Sequence, residues 1–510
     1  MNTKKIIASA LLATILGMPG QAQLLRTTVA QGEIEGEQHE GFALYRAIPY
    51  AEAPVGPLRW KAPVPKAPWQ GVYKAEKWGG RPWQKTDPNQ SGNDIPMSED
   101  CLYLSVETPA KSADEKLPVF VMIHGGAFAT GSYSGTQESF VREGIIYVSI
   151  EYRLGALGFM AHPELSKESP DGISGNYGIY DQICALKWIH DNIAAFGGDP
   201  DKVTICGESA GGISVSILCA SPLCKGLFRA AISESGGNFC PVQDKALGMS
   251  SAMKTVKGTE PTGLSYQKKF KAKNLKQLRK VSAQALIDST STENFWPLVD
   301  GLAITGDQYK LYSEGSYNDV DVMIGYNSDE GSLFVYQMQL DAYRGMIKAQ
   351  YGDWAEKMFE AYPATNDQEA LWATQDIFRD NAFGWSTYAW ANLQTQTGKG
   401  RVYFYYFDQQ SQNSIVKVCR GATHVAEMPF IYGWNWGPMT NSEQHMAQIM
   451  PQYWINFVKY GDPNANGLPY WTTYEQGKPT VMHMHEGFSL IPAPNQKQMD
   501  FFESYFKSLR

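Results

Sequence analysis

The feature that most restricts how this chain can fold is a succession of short, uninterrupted apolar runs, each followed by a glycine-containing turn and a helical pattern. Val119–Ile123 and Ile145–Ile150 open the series, and Val203–Cys206 and Arg229–Ser233 follow. Val320–Ile324, Arg401–Phe407 and Thr480–Met484 continue it. Between the second and third runs, Ile179, Ile183, Leu186, Ile189, Ile193 and Phe196 keep helical spacing and stop at Gly197-Gly198. A strand that is apolar on both faces must be covered on both faces, and intervening helices supply the covers. The pattern predicts an α/β fold with a central, mostly parallel sheet flanked by helices. The part up to about residue 107 reads as antiparallel strands and loops, and the stretches at roughly 240–318 and 332–400 read as helical or irregular insertions. No repeat or low-complexity linker divides the chain, so residues 23–510 are expected to form one domain.

A core of that size is available, since 43% of the 510 residues are hydrophobic. The formal net charge is -8 and no basic stripe recommends nucleic acid, so no nucleic-acid partner is expected. No motif specifies an oligomeric state. Lys4 and Lys5 precede an apolar run from Ile6 to about Leu16, and small residues follow at Gly17, Gly20 and Ala22. That order is the one of a secretory signal peptide over residues 1–22, and the run is too short to span a bilayer. A secreted or periplasmic protein without stable membrane insertion is expected. The seven cysteines lack paired C-x-x-C spacing and give no zinc site. Cys184 and Cys206 sit in apolar patterns and read as small core residues.

The chemistry concentrates at Gly207-Glu208-Ser209-Ala210-Gly211, between a strand and a helix pattern through Ile217 and Leu218. In a strand–turn–helix, the serine takes a cramped backbone position that presents its hydroxyl above the sheet. The flanking glycines are required where a side chain would strike the neighbouring elements. A serine hydroxyl needs a base, and in this arrangement the acid and histidine follow it along the chain. Of the later histidines, His445 reads as a surface helical residue. His483 and His485 alternate with Met482 and Met484 on a late strand without a third metal ligand. His424, in a loop after Arg401–Phe407, is the best candidate base. The acid is expected just beyond Val320–Ile324, where Asp329 and Glu330 both qualify by position. The backbone N–H groups of Gly125 and Gly126, in His124-Gly125-Gly126-Ala127, and of Ala210 can bind an oxyanion.

These motifs together closely resemble the type B carboxylesterase family, which includes cholinesterases and bacterial para-nitrobenzyl esterases. The likeness runs through Ala47-Ile48-Pro49-Tyr50-Ala51, Ser98-Glu99-Asp100-Cys101-Leu102, Phe196-Gly197-Gly198-Asp199-Pro200 and Gly461-Asp462-Pro463. It implies the α/β-hydrolase fold and hydrolysis of a small-molecule carboxylic ester through an acyl-enzyme on Ser209. No metal or organic cofactor is implied. A lipase or amidase of the same fold, or a non-catalytic binding member, is the alternative. The family pattern selects Glu330 over Asp329 as the acid and places a buried serine at Ser235. Phe295 matches an acyl-pocket position, Glu293 stands where acetyl-selective members carry an aromatic residue, and Glu208 adjoins the pocket. Two departures stand out. The segment before Cys101 has no cysteine to pair with it, and Ser91 replaces the tryptophan by which cholinesterases hold a quaternary ammonium. The resemblance also brings Cys240 and Cys419 toward the catalytic mouth, where a disulfide between them would brace the His424 loop.

Overall fold

Every one of those apolar runs becomes a strand of one eleven-stranded sheet. The computed structural model describes residues 23–85, 94–132, 135–244, 253–290, 295–416, 418–435 and 437–510. The expected signal peptide, Ser91 and Glu293 therefore lie outside the described residues. In chain order the strands are β1 (Glu37–His39), β2 (Phe42–Pro49), β3 (Tyr103–Thr108), β4 (Leu117–Ile123), β5 (Ile146–Ile150) and β6 (Gly198–Glu208). They continue with β7 (Ala230–Glu234), β8 (Asp321–Asn327), β9 (Val402–Phe407), β10 (Thr480–Met484) and β11 (Phe488–Pro492). Their spatial order is β11-β10-β9-β8-β7-β6-β4-β5-β3-β2-β1. The seven strands from β10 to β5 run parallel, and the antiparallel β11 and β3-β2-β1 extend the two edges. The short sheet of Arg26–Val29, Gly32–Glu35 and Val72–Lys74 departs from the antiparallel expectation, because its last pair is parallel.

The uninterrupted apolar character of β4 is explained by its two covers. Val119, Val121 and Ile123 pack into one core, while Phe120 and Met122 point through the opposite face into a second. The same alternation divides Ile205 from Cys206 and Ala231 from Ile232. The helix α1 (Tyr177–Asn192) covers one face, followed by a 3-10 turn at Ile193–Phe196. The chain then leaves through Gly197 at φ 83°, a left-handed conformation that suits glycine. The insertions are helical as expected. The second carries α2 (Asp367–Arg379) and α3 (Trp385–Thr397), joined by a single π-helical turn at Asp380–Gly384.

Register decides what the sheet presents. Gly207 pairs with Ile123 and with Ser233, and Gly325 pairs with Glu234 and Tyr405. The parallel strands thus end together, so the segments after Ile123, Glu208, Glu234, Asn327 and Phe407 leave from one edge. That edge is where an open parallel sheet gathers ligands. Among the described residues, no helix is long and apolar enough to cross a membrane.

Candidate active site

The turn after β6 carries Ser209 at φ 57° and ψ −122°, a backbone conformation that non-glycine residues rarely adopt. The surroundings leave little choice. A Cβ on Gly207 would lie 2.4 Å from the carbonyl carbon of Gly211, and one on Gly211 would lie 2.1 Å from the Ile123 carbonyl oxygen. The turn is fixed from the neighbouring strand by the Ser209 N–H, which donates to the Glu234 carbonyl at 2.8 Å. The chain enters the helix Ala210–Ala220 directly, so the Ala210 N–H belongs to its unbonded first turn. Gly125 lies against this elbow, since its missing Cβ would stand 3.3 Å from that of Ser209.

His424 and Glu330 meet although they lie 94 residues apart. The imidazole Nδ1 donates to Glu330 Oε2 at 2.6 Å, and both side chains are buried. Glu330 Oε1 accepts from Ser235 Oγ at 2.5 Å and from the Asn327 backbone N–H at 2.8 Å. Asp329 turns away and accepts from the Arg420 backbone N–H at 2.6 Å, which fastens the approach to the histidine loop. Of the two acids that position allowed, Glu330 is the one aimed at the imidazole.

The other ring nitrogen, Nε2, lies 3.2 Å from Glu208 Oε1. Among the described residues, the Ser209 hydroxyl forms no hydrogen bond, so in this state the imidazole faces the carboxylate next to the serine. Burial opposes a charge on His424, yet Glu208 and then Glu330 outweigh it and raise the imidazole to about 9. Burial pushes the Glu208 carboxyl well above its ordinary range, against the pull of His424. Two more buried acids lie behind. Burial and then the Glu330 charge raise Glu427 to about 7, while burial and Glu427 raise Glu234 to about 8. Asn327 Nδ2 donates to Glu427, and Tyr432 and Trp454 donate to Glu234 at 2.8 and 2.7 Å.

Sequence reasoning missed the aromatic clamp on His424. Phe383 stacks on the ring at 4.9 Å and Phe334 leans on it at 5.2 Å. Phe383 belongs to the π-helical turn, whose extra residue leaves no periodic mark in the sequence. Phe295 is buried, with its ring edge on Tyr266 at 5.0 Å, and it is the adjacent Trp296 that reaches Phe128 beyond the Gly125-Gly126 loop. A cavity of about 310 Å³ opens beside the elbow, with Gly125, Gly126, Glu208, Met428 and Trp434 in its wall.

The disulfide expected between Cys240 and Cys419 is not formed. All seven cysteines are thiols. Cys240 is buried with its Sγ 3.8 Å from the Asn381 carbonyl, whereas Cys419 Sγ takes a hydrogen bond from Gln410 at 3.2 Å. The helical insertion carrying Asn381 decides where the first cysteine points. His483 meets Asp408 at 3.2 Å, and His485 Nδ1 meets the Asp408 carbonyl at 2.9 Å.

A parallel sheet with a strained serine between strand and helix, and a histidine and an acid on later strand ends, defines an α/β-hydrolase. Residues 22–502 match the carboxylesterase family, and the chain belongs to that family. It is a carboxylic ester hydrolase. Over 484 residues it is 32% identical to the para-nitrobenzyl esterase of Bacillus subtilis (strain 168), covering 89% of this chain and 94% of the relative. The fumonisin B1 esterase of Sphingopyxis macrogoltabida is 30% identical over 493 residues, with 89% and 85% covered. A solved PNB esterase structure superposes with a TM-score of 0.81 at 29% identity, covering 94% of this chain and 99% of its own.

Proposed function

We propose that Ser209 is the nucleophile of this ester hydrolase, His424 its general base and Glu330 the acid that orients the base. The observation that carries the reading is the His424–Glu330 hydrogen bond of 2.6 Å beside the strained elbow. With Nδ1–H committed to Glu330, the lone pair of neutral His424 is confined to Nε2. The resting contact of Nε2 with Glu208 suits the protonated ring. Once that proton leaves, Nε2 accepts the hydroxyl proton of Ser209 as Oγ attacks the ester carbonyl. The N–H groups of Gly125, Gly126 and Ala210 receive the developing oxyanion. Collapse returns the proton to the leaving alcohol, and water then releases the acid from the acyl-enzyme by the same route in reverse.

The substrate is a small carboxylic ester. One half occupies the cavity bounded by Glu208, Met428 and Trp434, and Phe295 shapes the acyl side. The Bacillus subtilis relative's name points to esters of aromatic alcohols, which Trp434 suits. Residues 1–22 direct export, so the enzyme works in the periplasm or outside the cell. The deciding experiment is Ser209→Ala assayed on p-nitrophenyl esters of short and long acyl chains. Turnover is expected to fall by at least ~10⁴-fold with the fold retained. A folded variant that keeps substantial turnover refutes the assignment.

A further inference from the structure

The loops that carry Glu330 and His424 are both fastened to helix α2, and the fastening closes on itself. Arg379, the last residue of α2, is buried, and its Nη1 donates to the Ser328 carbonyl at 3.0 Å and to Asp376 Oδ1 at 2.9 Å. Asp376, one turn earlier, also accepts from Arg420 Nη2 at 2.7 Å and Nη1 at 3.2 Å. The Arg420 backbone N–H donates to Asp329 Oδ2 at 2.6 Å, and its guanidinium lies 3.8 Å from the other oxygen of that carboxylate. The path thus leaves Ser328, passes through Arg379, Asp376 and Arg420, and returns at Asp329. Those end points are the two residues before Glu330, and Arg420 stands four residues before His424. Asp380 takes Nε and Nη2 of Arg379 at 2.7 and 2.9 Å, so the buried guanidinium has a counter-charge of its own and Asp376 is left to hold Arg420. The Arg420 guanidinium also rests over Trp372 of the same helix, 5.6 Å from the ring centre.

The two loops bond to each other as well. The Asp329 N–H donates to the Ala422 carbonyl at 2.8 Å, the Ala422 N–H to Ser328 Oγ at 2.9 Å, and Asn327 Nδ2 to the Thr423 carbonyl at 2.9 Å. Those bonds set the register of one loop against the other. The path through α2 adds an outside hold at the Arg420 end, where the histidine loop enters. We infer that Asp376 and Arg420 are positioning residues of the active site: their ion pair brackets the acid loop and the histidine loop against α2 and keeps Glu330 on Nδ1 of His424. The bracket rests on the proposed roles of Glu330 and His424. Its side chains are partly open to solvent, 36% exposed for Arg420 and 25% for Asp376. A pair so placed contributes little to stability, so its loss is read in catalysis rather than in folding. When it is cut, only the Arg420 backbone N–H holds the entry to the histidine loop. The imidazole then drifts from Glu330, and the aim of Nε2 and the support that Glu330 gives a charged ring weaken together.

The test is kcat and KM against pH, by pH-stat titration of the acid released from a short-chain ester, for the wild type, Arg420→Met, Asp376→Asn and Ser209→Ala. Arg420→Met and Asp376→Asn each lose about tenfold in plateau kcat, with KM within about threefold. The rising limb of kcat/KM separates position from charge. Glu208, Glu330 and Glu427 are the charges that raise the imidazole. Acting by charge alone, loss of the Arg420 cation moves the limb to higher pH and loss of the Asp376 anion moves it to lower pH. Loss of position weakens the hold of Glu330 and moves the limb to lower pH in both variants. The bracket is overturned if the Arg420→Met limb stays in place or moves to higher pH, or if its kcat matches the wild type. Should Arg420→Met fail to fold, Arg420→Gln takes its place under the same criteria. An inactive Ser209→Ala beside an Arg420 variant that tracks the wild type sinks the bracket only. An active Ser209→Ala sinks the assignment of the elbow and the bracket with it.

Discussion

On one side of Ser209, His424 meets Glu330 at 2.6 Å, and two further donors, Ser235 and the Asn327 N–H, hold the acid. On the other side, His124 faces Glu151 at 3.5 Å, with the Ser132 hydroxyl on the acid and a cavity alongside. The first pair is built to fix a tautomer: the imidazole donates at Nδ1 and must offer Nε2 to a changing partner. In the second, Nδ1 lies against the Gly125 carbonyl while Nε2 makes no hydrogen bond to Glu151, so the ring is held by its stack on Tyr152 and by the closed loop. The same two residue types therefore serve opposite needs, and one substitution made in each separates them. Glu330→Gln gives Nδ1 an amide whose N–H favours the wrong tautomer, and kcat should fall about 10⁴-fold at all pH values. Glu151→Gln changes an acid that makes no hydrogen bond to its histidine, and kcat should fall by less than about tenfold. Equal losses of kcat in the two variants would erase the distinction.

How far these pairs could be read from the sequence follows from how local each is. The elbow at Ser209 was legible because strand, glycines and helix are contiguous. The approximate strand ends placed His424 and an acid near that edge, but Asp329 and Glu330 differ only in which way the chain turns after Asn327. The family pattern, rather than residue chemistry, separated them. The π-helical turn that lays Phe383 on His424 had no periodic trace, and the same insertion sent Cys240 toward Asn381 and away from Cys419. His124 and Glu151 were legible in principle, as the residues after two apolar runs. What the sequence lacked was the pairing of those runs as in-register neighbours.

Smaller changes probe the tighter pair. Ser235→Ala removes one of the donors to Glu330 and leaves the Asn327 N–H in place. Loss of a hydrogen bond to a charged acceptor is worth ~1.5–3 kcal/mol, so kcat should fall about tenfold or more with KM unchanged. An undiminished kcat would show that the backbone donor suffices. Glu208→Gln acts on the other ring nitrogen. Burial opposes the charge of His424, and Glu208 is the first of the charges that overcome it. Since the base works only when neutral, wild-type kcat/KM should climb as pH rises toward about 9. Removing the Glu208 charge should move that limb to lower pH by ~1 unit. A limb that stays in place would mean that Glu330 alone sets the imidazole.

The smallest effect concerns stability, and it follows from the two acids stored behind His424, Glu427 and Glu234. Burial, with the Glu427 charge second, raises Glu234 from an ordinary carboxylate value to about 8. In the unfolded chain the same group releases its proton near 4.3. Across the interval between those values the native state binds more protons than the unfolded state, so unfolding free energy declines as pH rises. The contribution is complete below the unfolded value and is lost as pH climbs through about 8. Each such group contributes a slope of about 1.4 kcal/mol per pH unit at most. Glu234→Gln keeps an oxygen for Tyr432 and Trp454 and carries no proton to lose. Its Tm, followed by calorimetry from pH 5 to pH 8, should therefore decline less than that of the wild type. Parallel declines would place the protonation elsewhere, with Glu427 the next acid to replace.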